Sequence, residues 1–390
     1  MTEAYVIGAG QSSYGAFPDE TYRSLFEVAI RKAIESVDAP FDKSQIEEGF
    51  LGTLGVGGRQ IGLSAPAVTE HVGLHGIPVT RIENACAASG YAFRNAVMMV
   101  RAGLVDVALA GGYEMMNDMS SNQTRWWLGV SGEMEWERLV GTTFSGTFGM
   151  MASAHMAEYG TTREDLARVA VKNHRNASSN PDAHLQFECT VEDALDSPMV
   201  AEPLTLYDCC PRTDGASAVI VASEEVAREV NDTLIRAVGT GAASDHLGIF
   251  QRETITGLPA TKTAAERAYD DAGITPSDVD IAEVHDCFTI AELIAYEDLG
   301  FCELGESATL LENGATEPTG SLPVNTSGGL KAKGHPIGAT GTGQITEIIK
   351  QFRGEASVQI DGPEIGLAHN VGGSGAGVTV NILEKTEATR

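Results

Sequence analysis

Four short segments of this 390-residue chain carry side chains able to make and break covalent bonds. The first is Arg81-Ile-Glu-Asn-Ala-Cys-Ala-Ala-Ser-Gly. A strand-like entry runs into small residues and then an apolar helical pattern (Ala92, Phe93, Ala96, Val97, Val100), which places Cys86 at a helix N-terminus. The helix dipole and free N–H groups favour a thiolate there. Small neighbours let a bulky substrate reach the sulfur. A buried cysteine at a tight helix crossing explains this local pattern equally well. The second segment is Asn325-Thr-Ser-Gly-Gly-Leu-Lys-Ala-Lys-Gly-His-Pro-Ile-Gly-Ala-Thr-Gly-Thr-Gly, in which His335 sits between Gly334 and Pro336. Proline there is a helix-start signal. So much glycine costs backbone entropy, so something must approach the backbone closely. The GxxxxGK[ST] spacing of a nucleotide phosphate loop is missing, which argues against nucleotide hydrolysis. His335 is placed to act as a base toward a thiol or as a donor to a carbonyl oxygen.

The third segment is Glu283-Val-His-Asp-Cys-Phe-Thr-Ile-Ala-Glu-Leu. His285 and Cys287 follow a short strand and precede a helix. They read as an acid/base pair or, taken alone, as a turn histidine and a core thiol. The fourth is Gly366-Leu-Ala-His-Asn-Val-Gly-Gly-Ser-Gly-Ala-Gly. Its glycine-rich turn exposes backbone N–H groups able to form an oxyanion hole, or serves only as a tight turn.

The elements around these segments alternate. Val/Ile/Ala runs ending in or beside glycine read as buried strands: Tyr5-Val-Ile-Gly, Val107-Ala-Leu-Ala-Gly-Gly, Ala218-Val-Ile-Val-Ala and Gly377-Val-Thr-Val-Asn-Ile. Between them lie helical stripes, such as Leu25, Val28, Ala29, Ala33 and Ile34 within 21–37, and 264–272 closed by Gly273. The alternation predicts an α/β fold. Both halves follow one plan, from an opening strand that ends in glycine to a closing strand preceded by small residues. The reading is a duplicated unit, 1–230 and 231–390, with 115–203 inserted over the site in the first half. That insertion holds all three tryptophans and has the character of a substrate-shaping loop region.

Composition narrows the function. With 54 acidic and 26 basic side chains the formal net charge is -28, which repels nucleic acid and anionic membranes. The acid is spread along the chain, and a surface adapted to high salt is the favoured expectation. No apolar run reaches the roughly 20 residues needed to cross a bilayer. The first residues read as a strand and not as a signal peptide, so a cytoplasmic location is expected. The six cysteines (86, 189, 209, 210, 287 and 302) form no CxxC pair and show no metal-ligand spacing.

Taken together and in order, the four segments resemble the thiolase superfamily over nearly the whole chain. The matching blocks are Asn84-Ala-Cys-Ala-Ala-Ser, Asp214-Gly-Ala, Gly334-His-Pro and the closing glycine turn. The resemblance implies two α/β halves in a five-layer αβαβα arrangement with an inserted loop domain. Familiar thiolases carry Asn-Glu-Ala-Phe where this chain has His285-Asp286-Cys287-Phe288, and Cys-x-Gly where it has Asn370-Val371-Gly372. The His-Asp-Cys-Phe form is similar to sterol-carrier-protein-type and many archaeal thiolases, in which that cysteine takes over the acid/base role. The resemblance thus implies Cys86 as nucleophile, His335 as its activator, His285 with His335 on a thioester oxygen, and Cys287 as acid/base. It also implies the Cys86 and Gly372 amides as an oxyanion hole. Lys331, Lys333 and Arg212 are candidates for contacts to coenzyme A. The substrates implied are coenzyme A thioesters, with no bound cofactor and no metal. A homodimer or tetramer, and a small zinc-ribbon/OB-fold partner protein, are implied as well. Ketoacyl synthases and hydroxymethylglutaryl-CoA synthases fit the paired histidine motifs poorly. A non-catalytic, lipid-carrying relative is the alternative outside enzymes.

Overall fold

The computed structural model describes residues 2–387. The first half runs β1 (Ala4–Gln11), α1 (Tyr22–Glu35), β2 (Glu48–Gly52), α2 (Ser64–His71), β3 (Val79–Ile82), α3 (Ala88–Arg101) and β4 (Val107–Glu114). Four helices follow: α4 (Ser121–Leu128), α5 (Phe144–Tyr159), α6 (Arg163–Ser178) and α7 (Val191–Asp196). A hairpin of β5 (Met199–Ala201) and β6 (Leu204–Thr205) leads into β7 (Gly215–Ser223) and α8 (Glu224–Val230). The second half contains β8 (Thr233–Ser244), α9 (Pro259–Ala272), β9 (Ile281–Glu283), α10 (Thr289–Asp298) and α11 (Ser307–Glu312). It ends with α12 (Thr340–Arg353), β10 (Ile365–Gly372) and β11 (Gly377–Glu387).

The local signals act as their chemistry requires. Thr21 and Ser24 close a capping box on α1. Gly273 ends α9 in the left-handed conformation. That helix starts five residues before the expected stripe, because Pro259 occupies its first turn. The two halves also share a packing device. A Cβ on Gly10 would land 2.5 Å from the Ala29 carbonyl of α1, and one on Gly239 would land 2.9 Å from Ala272 of α9. Bare backbone on β1 and β8 thus lets each outer helix lie directly on its strand.

Nine strands form one sheet in the order β3-β2-β4-β7-β1-β8-β11-β10-β9. Outward from the central β1–β8 pair, β1-β7-β4-β2 of the first half is matched by β8-β11-β10-β9 of the second. Beyond them the first half adds β3, where the second has only an isolated bridge of Val324 to Ala282. The halves join through antiparallel pairing of Tyr5 with Arg236 and Val6 with Ile235. The layered arrangement therefore rests on a sheet that is continuous in its hydrogen bonds, a feature periodicity does not reveal. Helices α3 and α12 pack on each other and on strands of both halves. One apolar cluster joins Phe93 and Val97 of α3, Ile345 and Ile348 of α12, and Val6, Ile235 and Ala368 of the strands. Helices α1 and α9 cover the outer faces. The segment between β4 and β7 is not a loose loop. Phe148, Met151, Leu166 and Val169 from α5 and α6 share one core with Ile290 and Leu293 of α10.

The contact between α3 and α12 tolerates no added atoms. A Cβ on Gly341 would sit 2.5 Å from the Asn370 side-chain oxygen and would overlap the Gly90 backbone. Gly341→Ala is expected to lower stability by about 1–3 kcal/mol, the usual cost of overpacking, read as a lower urea midpoint. An unchanged midpoint would show that the crossing has slack.

Candidate active site

Cys86 stands in the turn that opens α3. Ala85 before it takes φ +47°, a left-handed conformation that costs a residue with a Cβ roughly 1–2 kcal/mol. The Glu83 carboxylate accepts the Ala85 amide at 2.7 Å, and the Asn84 carbonyl accepts the Ala87 amide at 3.0 Å. These bonds hold the strained turn. The sulfur is half-buried, and burial pushes its thiol up to about 12, against the lowering effect of the Gly373 amide and its own amide. The helix-terminus expectation of a ready thiolate is thus reversed: loss of water outweighs the amides. The sulfur's partner in the last turn is the amide of Gly373, one residue beyond Gly372, and the sequence pattern did not single it out.

His335 lies on the turn before α12 and is buried. Its Nδ1 stands 2.7 Å from Thr340 Oγ1, and that hydroxyl donates to the Pro336 carbonyl at 3.0 Å. The hydroxyl hydrogen is therefore committed, so Nδ1 is the donor and Nε2 keeps a free lone pair. Burial lowers the ring to about 3, so it rests neutral. Three contacts with the first half fix this turn. Glu114 accepts the Gly338 amide at 3.2 Å, Ser217 donates to the Ala339 carbonyl at 2.6 Å, and Ser89 accepts the Thr342 amide at 3.2 Å. Glu114 also accepts the amides of Leu54, Gly55 and Val56, yet burial still raises it to about 7.

His285 is also buried, and burial, then His335 and His369, hold it well below the ordinary imidazole value. The His285 and His335 rings meet edge to face with centroids 5.0 Å apart. A ring nitrogen from each histidine and the Cys86 sulfur all lie within 4.8 Å of one another. Cys287 is buried beside them, and its thiol is raised by burial and then by the Cys210 and Cys86 thiols. Cys210 joins the cluster through its amide, which donates to the Cys287 carbonyl at 3.1 Å. The sequence offered no sign of this third cysteine. Asp286 is held by the backbone of the His335 segment and by α6. It accepts the Leu330 and Lys331 amides and, at 2.7 Å, the Asn173 side chain of α6. Burial and then Glu292 raise it to about 7.

A cleft of about 420 Å³ runs from His335 past Cys210, Phe288, Phe144 and Met116 to the surface. Phe288 stacks on Phe148 of α5 at 4.6 Å, which fixes one wall to the inserted segment. Arg212 lines this cleft, as do Arg125 and Arg138, which the sequence reading did not propose. The two lysines proposed with Arg212 lie elsewhere. Lys331 is buried, with Nζ 3.3 Å from His174 Nε2 and above the Tyr207 ring. Lys333 is buried, with Nζ 3.5 Å from Glu347 and above Tyr14. Neither ammonium has a solvent face to offer a phosphate, which corrects their assignment as contacts to coenzyme A. Among the described residues, no helix is long and apolar enough to cross a membrane.

Comparison with known proteins agrees with this geometry. Residues 2–225 match the thiolase N-terminal domain and residues 241–385 the thiolase C-terminal domain-like family. The chain is 42% identical to an acetyl-CoA acetyltransferase of Methanothermobacter thermautotrophicus, over 99% of this chain and 100% of that protein. It is 32% identical to human sterol carrier protein 2, over 96% of this chain and 71% of that protein. The solved structure named Ltp2-ChsH2(DUF35) aldolase superposes with a TM-score of 0.86 at 27% identity, covering 100% of this chain and 99% of that one. With both family domains matched and the cysteine–histidine cluster at their meeting point, this chain belongs to the thiolase family of acyl-CoA C-acyltransferases.

Proposed function

We propose that this enzyme condenses two acetyl-CoA, or an acyl-CoA with acetyl-CoA, into a 3-oxoacyl-CoA, and runs the reverse thiolysis, through an acyl group on Cys86. The observation that carries the reading is the convergence of the Cys86 sulfur with a ring nitrogen each of His285 and His335, at the point where His335 lines the cleft. His335 Nε2 takes the Cys86 proton as the sulfur attacks the thioester. The Cys86 and Gly373 amides face that sulfur, and with Gly372 they are the oxyanion donors of this step. The departing coenzyme A thiolate takes its proton from Cys287. A second thioester then enters, and the Cys287 thiolate removes its α-proton. The enolate oxygen is held by His285 and by the now protonated His335. Attack on the acyl group releases the Cys86 thiolate, which recovers its proton from His335. The Cys86 proton returns through His335. The Cys287 proton leaves with coenzyme A and is replaced by the α-proton of the second thioester, so both cysteines end as thiols. Removing one such hydrogen-bond donor costs on the order of 3 kcal/mol of barrier.

Arg212, with Arg125 and Arg138, supplies the local positive charge that phosphates need in a chain of net charge -28. The halves 1–230 and 231–390, with 115–203 inserted over the site, are supported by the repeated strand succession. A role in lipid metabolism, a cytoplasmic location, a salt-adapted surface and a homodimer or tetramer complete the proposal. A small zinc-ribbon/OB-fold partner protein is part of the proposal, and the second name in Ltp2-ChsH2(DUF35) aldolase, the similar solved structure, is what supports a partner.

Two experiments test it. Incubation with acetyl-CoA adds an acetyl mass to the native chain and none to Cys86→Ala; turnover by that variant refutes the nucleophile. In Cys287→Ala acylation survives and condensation fails, whereas equal loss of both refutes the division of roles. The second test is pH. A raised thiol holds less thiolate at a given pH, so alkylation of Cys86 by iodoacetamide, read by peptide mass, rises about tenfold per unit from about pH 7 to about pH 9 without levelling. A plateau near neutrality would reveal a preformed thiolate–imidazolium pair.

A further inference from the structure

Position 370, where familiar thiolases place a second reactive cysteine, holds an amide with a defined task. Asn370 Nδ2 lies 2.9 Å from the Cys86 carbonyl and 3.2 Å from His285 Nδ1. The carbonyl only accepts, so the nitrogen end of the amide must face it; the oxygen end would set two acceptors against each other. The second hydrogen of the same NH2 group then points at His285 Nδ1 and makes that nitrogen an acceptor. The ring proton of His285 is therefore on Nε2. That nitrogen is buried and has no hydrogen-bond partner among the described residues. The Asn370 oxygen is lodged at the crossing of α3 and α12, where a Cβ on Gly90 or Gly341 would fall within 2.8 Å of it. The oxygen is buried without a hydrogen-bond partner among the described residues, so the two acceptors at the nitrogen end are what orient the amide. Thr340 fixes His335 in the opposite tautomer. One imidazole is a donor and its neighbour a base.

The same three side chains have the makings of another site. Cys86, His285 and His335 bring a sulfur and two ring nitrogens within 4.8 Å, a ligand set suited to zinc. Such an ion needs a lone pair from each imidazole.

We propose that Asn370 is a positioning residue that sets the His285 tautomer, and that this one hydrogen bond does two things. It presents the His285 Nε2–H to the thioester oxygen. It also withholds the second imidazole lone pair, so the reactive cysteine is not captured by a soft divalent ion. The first effect rests on the acyl-transfer reading above; the second stands on the hydrogen-bond geometry alone.

Asn370→Asp in the full chain tests both. A carboxylate accepts from Nδ1–H, so the His285 proton moves and Nε2 gains a lone pair. Cobalt(II) serves as the probe, because thiolate ligation gives it a near-ultraviolet charge-transfer band. The expected result is a band in the variant at cobalt concentrations that leave the native protein unchanged, and a kcat reduced on the order of 10²–10³-fold with little change in KM. Asn370→Ala, which leaves the tautomer free, should bind cobalt between the two and lose kcat as well. It carries the test if the aspartate variant does not fold. Equal cobalt affinity in the native protein and the variants overturns the metal-exclusion claim. Native kcat in a variant that binds cobalt overturns the donor claim. If native protein forms no acyl-enzyme, the acyl-transfer reading fails, while the cobalt comparison still decides the tautomer.

Discussion

At their closest approach Gly90 of α3 and Gly341 of α12 meet backbone to backbone, beside the head of Asn370. The start of α3 carries Cys86 and the turn before α12 carries His335. How closely these two helices meet decides how closely sulfur and imidazole meet. The sheet serves this contact. Its continuity through β1 and β8 holds the halves as one body, and both halves pack strands against α3 and α12. Contacts from Glu114, Ser217 and Ser89 then bind the His335 turn to the half that owns the nucleophile.

Withdrawal from water is the second constraint. Cys86, His285, His335 and Cys287 all rest in their neutral forms, because burial penalises each charged form. A neutral site needs its hydrogens in the right places before substrate arrives, and hydroxyl and amide partners put them there. The carboxylates stand behind the reacting groups. Asp286 holds the Leu330 and Lys331 amides. Asn173 reaches from α6 to bridge Asp286 and Glu292, at 2.7 Å to each. The inserted segment is thereby tied to both histidine-bearing motifs, as well as walling the cleft.

The reacting residues were legible because each sits in a compact motif whose small neighbours betray a close approach. The α/β alternation and the outer helices were legible from periodicity, since Ala29 and Ala33 must face bare strand backbone. What surrounds the motifs was not. Lys331 and Lys333 look like exposed basic residues beside a glycine turn, but Asp286, more than 40 positions away, pulls that turn inward. Arg125 and Arg138 sit in a stretch with no motif and reach the cleft only because the inserted helices fold over it. The Gly373 amide meets the sulfur, one residue beyond the Gly372 that the sequence singled out. Asn370 reads in sequence as a missing cysteine, and only its two hydrogen bonds show what it does.

The central claim is that acyl transfer runs on Cys86 with the second substrate's thioester oxygen held by the buried His285 donor. A crystal structure of the acylated enzyme with a non-enolisable coenzyme A thioester tests it most directly. The account predicts the acyl group on Cys86 Sγ and the thioester oxygen about 2.7–3.2 Å from His285 Nε2. An acyl group on Cys287 or Cys210, or a thioester oxygen turned away from His285, would contradict it.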